Sequence, residues 1–270
     1  MPLVFACIAP HGGQILPEFA AGPDDAAATR TAMNELGRRM EAARPDTVVV
    51  LTPHGIRIDG MMCISVSARA AGDMGPQVAV DFEVDQPLAA AIAAASEAEG
   101  VPVARCIYGA SAGPSCCIPL DWGAIIPLRF MGHTYSPKPR VVVICPSRSL
   151  SREQMVAFGR ALATAAEASG SRIALIASAD QAHAHSAAGP YGLDPAAPEY
   201  DRQMCEAVRQ QDLLGLLKTD PALVEAAKPD SLWQMLILGG ALQVRPLCGE
   251  LLSYEVPTYF GMMCASYVQE

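Results

Sequence analysis

Short apolar runs, rich in β-branched residues, alternate along this chain with longer segments whose apolar positions recur every three or four residues. Runs of the first kind read as buried strands, and segments of the second kind as amphipathic helices. The first run covers residues 3–9 and the second covers 47–51, with a helical segment from about 24 to 43 between them. Asp24 or Asp25 stands where a helix cap belongs, and Arg44-Pro45-Asp46 breaks the pattern. Residues 56–86 mix β-type runs at 60–66 and 77–82 with glycines, as strands and turns do. An Ala-rich helix with Pro87 at its start is predicted over 87–99, then strand character over 101–107.

After a Gly/Ser/Pro/Cys-rich loop at 109–120, residues 140–145 read clearly as a strand. A helix follows over 151–169, with Ser149 or Ser151 as its cap and Gly170 as its stop. The next strand covers 172–178 and a loop covers 184–198. Helical segments follow at about 198–210, 212–218, 220–227 and 230–242, and 249–268 reads as two short strands. This alternation predicts an α/β fold: one domain over 1–270, with a central, mostly parallel sheet flanked by helices.

The five histidines change the picture, because of where they fall. His11 ends the first run, His54 ends the second, and His183 and His185 follow the 172–178 run. In an open α/β sheet ligands bind beyond the carboxyl ends of the strands. Imidazoles at three strand ends therefore point to one convergent site, of which a metal is the natural occupant. His11 and His54 each sit between proline and glycine. The proline fixes the turn and the glycine admits close neighbours. A lone histidine is more often satisfied by a backbone carbonyl, but two matching Pro-His-Gly turns favour the metal.

Two histidines need an acid to complete a set, and spacing alone leaves Asp230, Glu250, Glu255 and Asp180 open. Asp230 precedes a helix, where an aspartate is as readily an N-cap as a ligand. His183 suits general acid or base work near neutral pH, with Asp180 to orient it; the plainer reading is a capping aspartate beside surface histidines.

The formal net charge of −9, with no run of Lys and Arg, argues against a nucleic-acid surface. No apolar stretch reaches about 18 residues, so no membrane span is expected, and the start lacks the basic region of a signal peptide. Nine cysteines, an odd number with no CxxC pair, suit buried thiols in a reducing cytoplasm.

Ala-Pro-His-Gly-Gly, Arg-Pro-Asp-Thr-Val-Val-Val-Leu-Thr-Pro-His-Gly, Gly-Ala-Ile-Ile-Pro-Leu, Ser-Ala-Asp-Gln-Ala-His and Pro-Thr-Tyr-Phe-Gly-Met occur in that order between residue 9 and about 262. Together they resemble the class III extradiol ring-cleavage dioxygenases, of the catalytic β-subunit type. The resemblance implies non-haem Fe(II) held by His11, His54 and, in place of the family's glutamate, Asp230. It implies His183 as catalytic acid/base and a small catechol- or aminophenol-type aromatic with O2 as substrates. Many members read Asp-His-Gly where this chain has Asp121-Trp122-Gly123. Trp122 cannot accept a proton, so it becomes a substrate-contact candidate, and His185 or His133 a substitute for the missing histidine. Arg57 is a candidate anchor for a substrate carboxylate and Tyr191 a candidate for the pocket wall; a solvated arginine and a packed loop tyrosine are the plainer readings. The resemblance extends to the Memo family, which leaves a metal-binding protein without dioxygenase activity as an alternative. A hydrolase or lyase using Zn(II) is another, since two histidines and an aspartate suit that ion. Relatives assemble as homo-oligomers or with a small α subunit, and an exposed apolar C-terminal segment would serve either arrangement.

Overall fold

The computed structural model describes residues 2–22 and 24–269. Eight strands form the main sheet. Its centre is four mutually parallel strands: β1 (Leu3–Ala9), β9 (Ile173–Ser178), β2 (Thr47–Leu51) and β8 (Arg140–Cys145). On one side β11 (Met262–Val268) runs antiparallel to β1, and β10 (Cys248–Glu255) antiparallel to β11. On the other side β3 (Met62–Ser65) runs antiparallel to β8 and β6 (Val103–Cys106) parallel to β3. The α/β architecture and mostly parallel sheet match the expectation.

The continuous apolar runs follow from burial on both faces. Successive side chains of a strand point to opposite sides. Accordingly Val49, Leu51, Val142 and Ile144 join one core, while Val48, Val50, Val141 and Val143 join the other. The first core is closed by α2 (Gln86–Ala98), α4 (Arg152–Ser169), α5 (Ala196–Arg209) and α7 (Leu232–Val244). The second is closed by α1 (Ala27–Ala43), by α3 (Trp122–Phe130) and by a small sheet of β5 (Ala79–Glu83), β4 (Arg69–Asp73) and β7 (Cys117–Pro119). A short α6 (Pro221–Ala227) precedes α7.

Several local expectations need correction. Neither Asp24 nor Asp25 caps α1, whose N-cap is Ala26; the Asp25 carboxylate accepts the Ala21 N–H instead. Ser151, not Ser149, caps α4, in a reciprocal box with Gln154, and Gly170 ends that helix in the left-handed conformation. β4 carries no apolar pattern because its three middle residues are small and its ends are charged, and Gly72 packs against the Leu120 carbonyl where a Cβ would lie 2.7 Å away. α3 forms although it contains Pro127, at a place where the sequence pattern assigns no element. The apolar C-terminal segment is not exposed, because β11 is an interior strand buried along nearly all its length.

Candidate metal centre

Parallel strands deliver their following residues to one edge of a sheet, and here that edge carries the chemistry. His11 follows β1, His54 follows β2 and Asp180 follows β9, which lies between those two strands. Asp230 arrives from outside the sheet, just ahead of α7. His11 Nε2 lies 3.3 Å from His54 Nε2 and 3.2 Å from Asp230 Oδ2, and His54 Nε2 lies 3.9 Å from the same carboxylate oxygen. Among the described residues these three form the one group of histidine, cysteine and acidic side chains gathered tightly enough to hold a metal ion. A metal about 2.0–2.2 Å from each donor holds adjacent donors roughly 3.0–3.5 Å apart, so the three atoms fit with slight closure. His11 and Asp230 are buried, whereas His54 is partly exposed and faces the opening.

Of the acids that spacing alone left open, Asp230 is the one beside both histidines. Glu250 pairs with Arg39, and Glu255 accepts the Thr29 N–H; both lie away from the histidines. Asp180 lies 3.4 Å from His11 Nε2, but its Oδ1 accepts the His11 N–H at 2.9 Å. It therefore fixes the His11 turn, not His183 as expected. Asp230 is not a helix cap: the N-cap of α7 is Ser231, and Asp230 Oδ1 accepts the Asp180 N–H at 2.9 Å.

A route through α3 sets the tautomer of His11. In a regular helix residue 127 would donate its N–H to the Gly123 carbonyl, but Pro127 has none. The freed Gly123 carbonyl accepts the Ser178 hydroxyl proton. With that proton committed, Ser178 Oγ is the acceptor for Nδ1–H of His11 at 2.9 Å. Once the ring is neutral, Nε2 presents its lone pair to the ligand cluster, the arrangement metal-bound histidines need. Gly123 also has to be glycine, since a Cβ there would lie 2.7 Å from Thr52 Oγ1 and 3.1 Å from the His54 ring.

The protein alone organises these charges around one proton. Burial opposes charging His11, but Asp180 and Asp230 together outweigh it and raise its pKa to about 9. Burial, reinforced by repulsion from His11, lowers His54 to about 4. Burial also raises Asp180 to about 6, whereas for Asp230 the penalty of burial is overridden by His11 and that carboxylate sits below its ordinary value.

The ligand cluster opens into a cleft of about 420 Å³. His183 lies on its wall, stacked on Phe260 with ring centres 5.3 Å apart, with Tyr191 edge-on and Tyr259 tilted, each at 6.0 Å. Its Nδ1 is buried without a hydrogen-bond partner among the described residues, so Nε2 is the nitrogen left to face the cleft. Trp122 and Tyr191 line the same cleft, with Trp122 tilted over His54 at 4.1 Å. His185 does not reach it. Its Nε2 lies 2.8 Å from Asp201 Oδ2, and that buried carboxylate also accepts from Tyr254 and from the Ala182 N–H. His133 and Arg57 do not line the cleft either, and Arg57 is exposed. Sequence reasoning missed Ser178 as the partner of His11 and assigned no role to Tyr259 or Phe260. Ser178 looks like any polar residue ending a strand, and the aromatic pair arrives from a distant loop.

An open α/β sheet with two histidines and a carboxylate at its carboxyl edge is an arrangement that could hold one metal ion. The chain belongs to the family described as the catalytic LigB subunit of aromatic ring-opening dioxygenase, whose model matches residues 5–264. It is 24% identical over 251 residues to Protein CA_C1420 of Clostridium acetobutylicum, a match covering 91% of this chain and 53% of that protein. The chain thus spans about half the length of that curated relative. Its fold is similar to the crystal structure of uncharacterized protein JW3007 from Escherichia coli K12, with a TM-score of 0.61 at 14% identity, covering 97% of this chain and 99% of the other. No helix among the described residues is long and apolar enough to cross a membrane.

Proposed function

We propose that the protein is a non-haem Fe(II) extradiol dioxygenase that opens the ring of a catechol- or aminophenol-type aromatic with O2. The observation that carries this reading is the convergence of His11, His54 and Asp230 beside His183 in a cleft walled by aromatic rings. A set of two histidines and one carboxylate leaves coordination positions open for substrates, as in non-haem Fe(II) oxygenases. Bound Fe(II) supplies redox chemistry and Lewis acidity toward adjacent oxygens.

The rest falls to the chain's own residues. Phe260, Tyr259 and Tyr191 offer flat faces and edges between which an aromatic ring can lie. His183 Nε2 takes a proton from a substrate hydroxyl and later returns one, the work of a general base and acid. Trp122 covers one face of His54 and keeps water from that side. Self-association and a reducing, cytoplasmic location remain part of the proposal, and light scattering measures the former.

Trp122 favours a second reading, because it brings no proton acceptor to the place where many relatives carry histidine. In that reading the site binds a metal without oxygen chemistry, or uses Zn(II) to activate water. Anaerobic loading with Fe(II), followed by oxygen uptake measurements against catechols and aminophenols, separates the two. Uptake accompanied by a new yellow chromophore is the expected result. Iron bound at one per chain with no uptake from any of these substrates overturns the dioxygenase and leaves the second reading.

A further inference from the structure

Three neighbouring strands at one end of the main sheet, β8, β3 and β6, each bring a cysteine to the same face. Cys145 of β8 pairs directly across from Cys63 of β3. The register of β6 sets Ala104 opposite Cys63 and Cys106 opposite Ser65. Residues two apart on a strand share a face, so Cys106 is a diagonal neighbour of Cys63. Their sulfurs are in contact at 2.7 Å, one thiol donating to the other. The two cysteines are 43 positions apart in the chain, so strand register and not a local turn holds them together.

The pair is unequal. Cys63 is buried, whereas Cys106 is partly exposed. β6 is the outer strand, and Ile107 and Tyr108, which lead away from it, are exposed. A small oxidant arriving from solvent therefore meets Cys106 first. Burial, reinforced by the hydrogen bond with Cys106, holds the Cys63 thiol well above its ordinary value, so it stays protonated while Cys106 is reduced. Cys145 is engaged elsewhere. It is buried, receives the Ile56 N–H and lies beneath Gly55, where a Cβ would stand 3.1 Å from its sulfur. Among the described residues no strand pairs with the far side of β6, so that strand can shift by the fraction of an ångström between a 2.7 Å contact and an S–S bond of about 2.05 Å.

We infer that Cys63 and Cys106 form a redox modification site, closed to a disulfide by a peroxide. The Cys106 thiolate attacks one oxygen of hydrogen peroxide; the O–O bond breaks, hydroxide leaves and the sulfur becomes a sulfenic acid. The Cys63 sulfur then attacks the Cys106 sulfur, whose S–O bond breaks, and the departing hydroxide takes the Cys63 proton and leaves as water. Overall two thiols and one hydrogen peroxide give one disulfide and two waters, a transfer of two electrons from sulfur to oxygen. The bond joins the outer strand covalently to its neighbour. In a reducing compartment it is a reversible response to oxidant and not a permanent staple. None of this depends on the ring-opening reading of the metal cleft.

Peptide mapping tests it. The full chain, metal-free and Zn(II)-loaded, is reduced, freed of reductant and treated with one equivalent of hydrogen peroxide; the remaining thiols are alkylated in denaturant and the peptides identified by mass spectrometry. The expected product is a link between Cys63 and Cys106, with loss of two of the nine thiols, reversed by dithiothreitol. In Cys63→Ser the same treatment should stop at a sulfenic acid on Cys106, captured by dimedone, and Cys145→Ser should close the link as the unaltered protein does. A link between Cys63 and Cys145 in its place, or oxidation of the exposed Cys248 with Cys63 and Cys106 both still alkylated, overturns the inference. So does a link between Cys63 and Cys106 that forms only when the peroxide is added in denaturant.

Discussion

The proton on His11 Nδ1 is placed by a proline on another element. Pro127 frees the Gly123 carbonyl, Ser178 donates to it, and the Ser178 oxygen is left to accept from His11. Ser178→Ala removes that acceptor and should weaken metal affinity about 10–100-fold, as loss of such orienting partners typically does. Competition against a chromophoric chelator measures this, and unchanged affinity would show that the tautomer is set elsewhere. His11→Ala and His54→Ala should lose metal outright by elemental analysis, and Asp230→Asn should bind it weakly; full occupancy in the double histidine variant contradicts the centre. The charge balance adds a pH dependence. His11 holds its proton up to about pH 9 in the protein alone, so metal entry below that pH expels a proton. Affinity should therefore climb with pH and level off above about 9, and calorimetry in two buffers of different ionisation enthalpy counts the proton released. The sign for stability follows from the raised value. The His11 contribution to the metal-free fold is whole below the ordinary 6.5 and fades as pH rises through about 9.

At the scale of elements, the position of Asp230 depends on how closely α7 lies on α4. Gly159 on α4 packs where a Cβ would meet the Ile237 carbonyl oxygen at 2.0 Å, and Gly240 on α7 packs where one would meet the Val156 carbonyl oxygen at 2.1 Å. Both are backbone atoms that cannot swing aside. Gly159→Ala should force the helices apart at a cost of at least about 1–3 kcal/mol, the usual range for overpacking. It should also loosen metal binding, because Asp230 leads directly into α7. A urea midpoint equal to that of the unaltered protein would show that the helices are free to separate. The four parallel strands act differently: their shared direction, not a fine fit, brings His11, His54 and Asp180 to one edge.

For the whole molecule, the candidate metal site draws on segments that are remote in sequence, so an ion held there would link occupancy to folding. Metal at about 100 times its dissociation constant should add roughly 2.7 kcal/mol to stability. A thermal midpoint that rises with Zn(II), returns with a chelator and does not move in His11→Ala is the expected pattern. A midpoint that rises equally in His11→Ala would place the ion elsewhere on this acidic surface.

Much of this architecture was legible along the chain. Burial on both faces writes parallel strands as unbroken apolar runs, so β1, β2, β8 and β9 stand out, and the histidines at two of their ends mark the site edge. Local chemistry also announces Gly170 as the stop of α4, while its cap lay between Ser149 and Ser151 and only the structure places the box at Ser151. The sequence by itself therefore determined the α/β class, the edge that carries chemistry and the histidines His11 and His54. Spacing left the acid open and only the family resemblance pointed to Asp230; tertiary structure sets Asp230 beside both histidines, because Asp230 and Asp180 differ in what a fold-wide path places beside them. It also separated His183 from His185, two residues apart on one loop, sending one to the cleft wall and the other to Asp201. Periodicity reports which face a residue occupies within its own element. Convergence between elements depends on helix packing and loop paths, which no local pattern encodes.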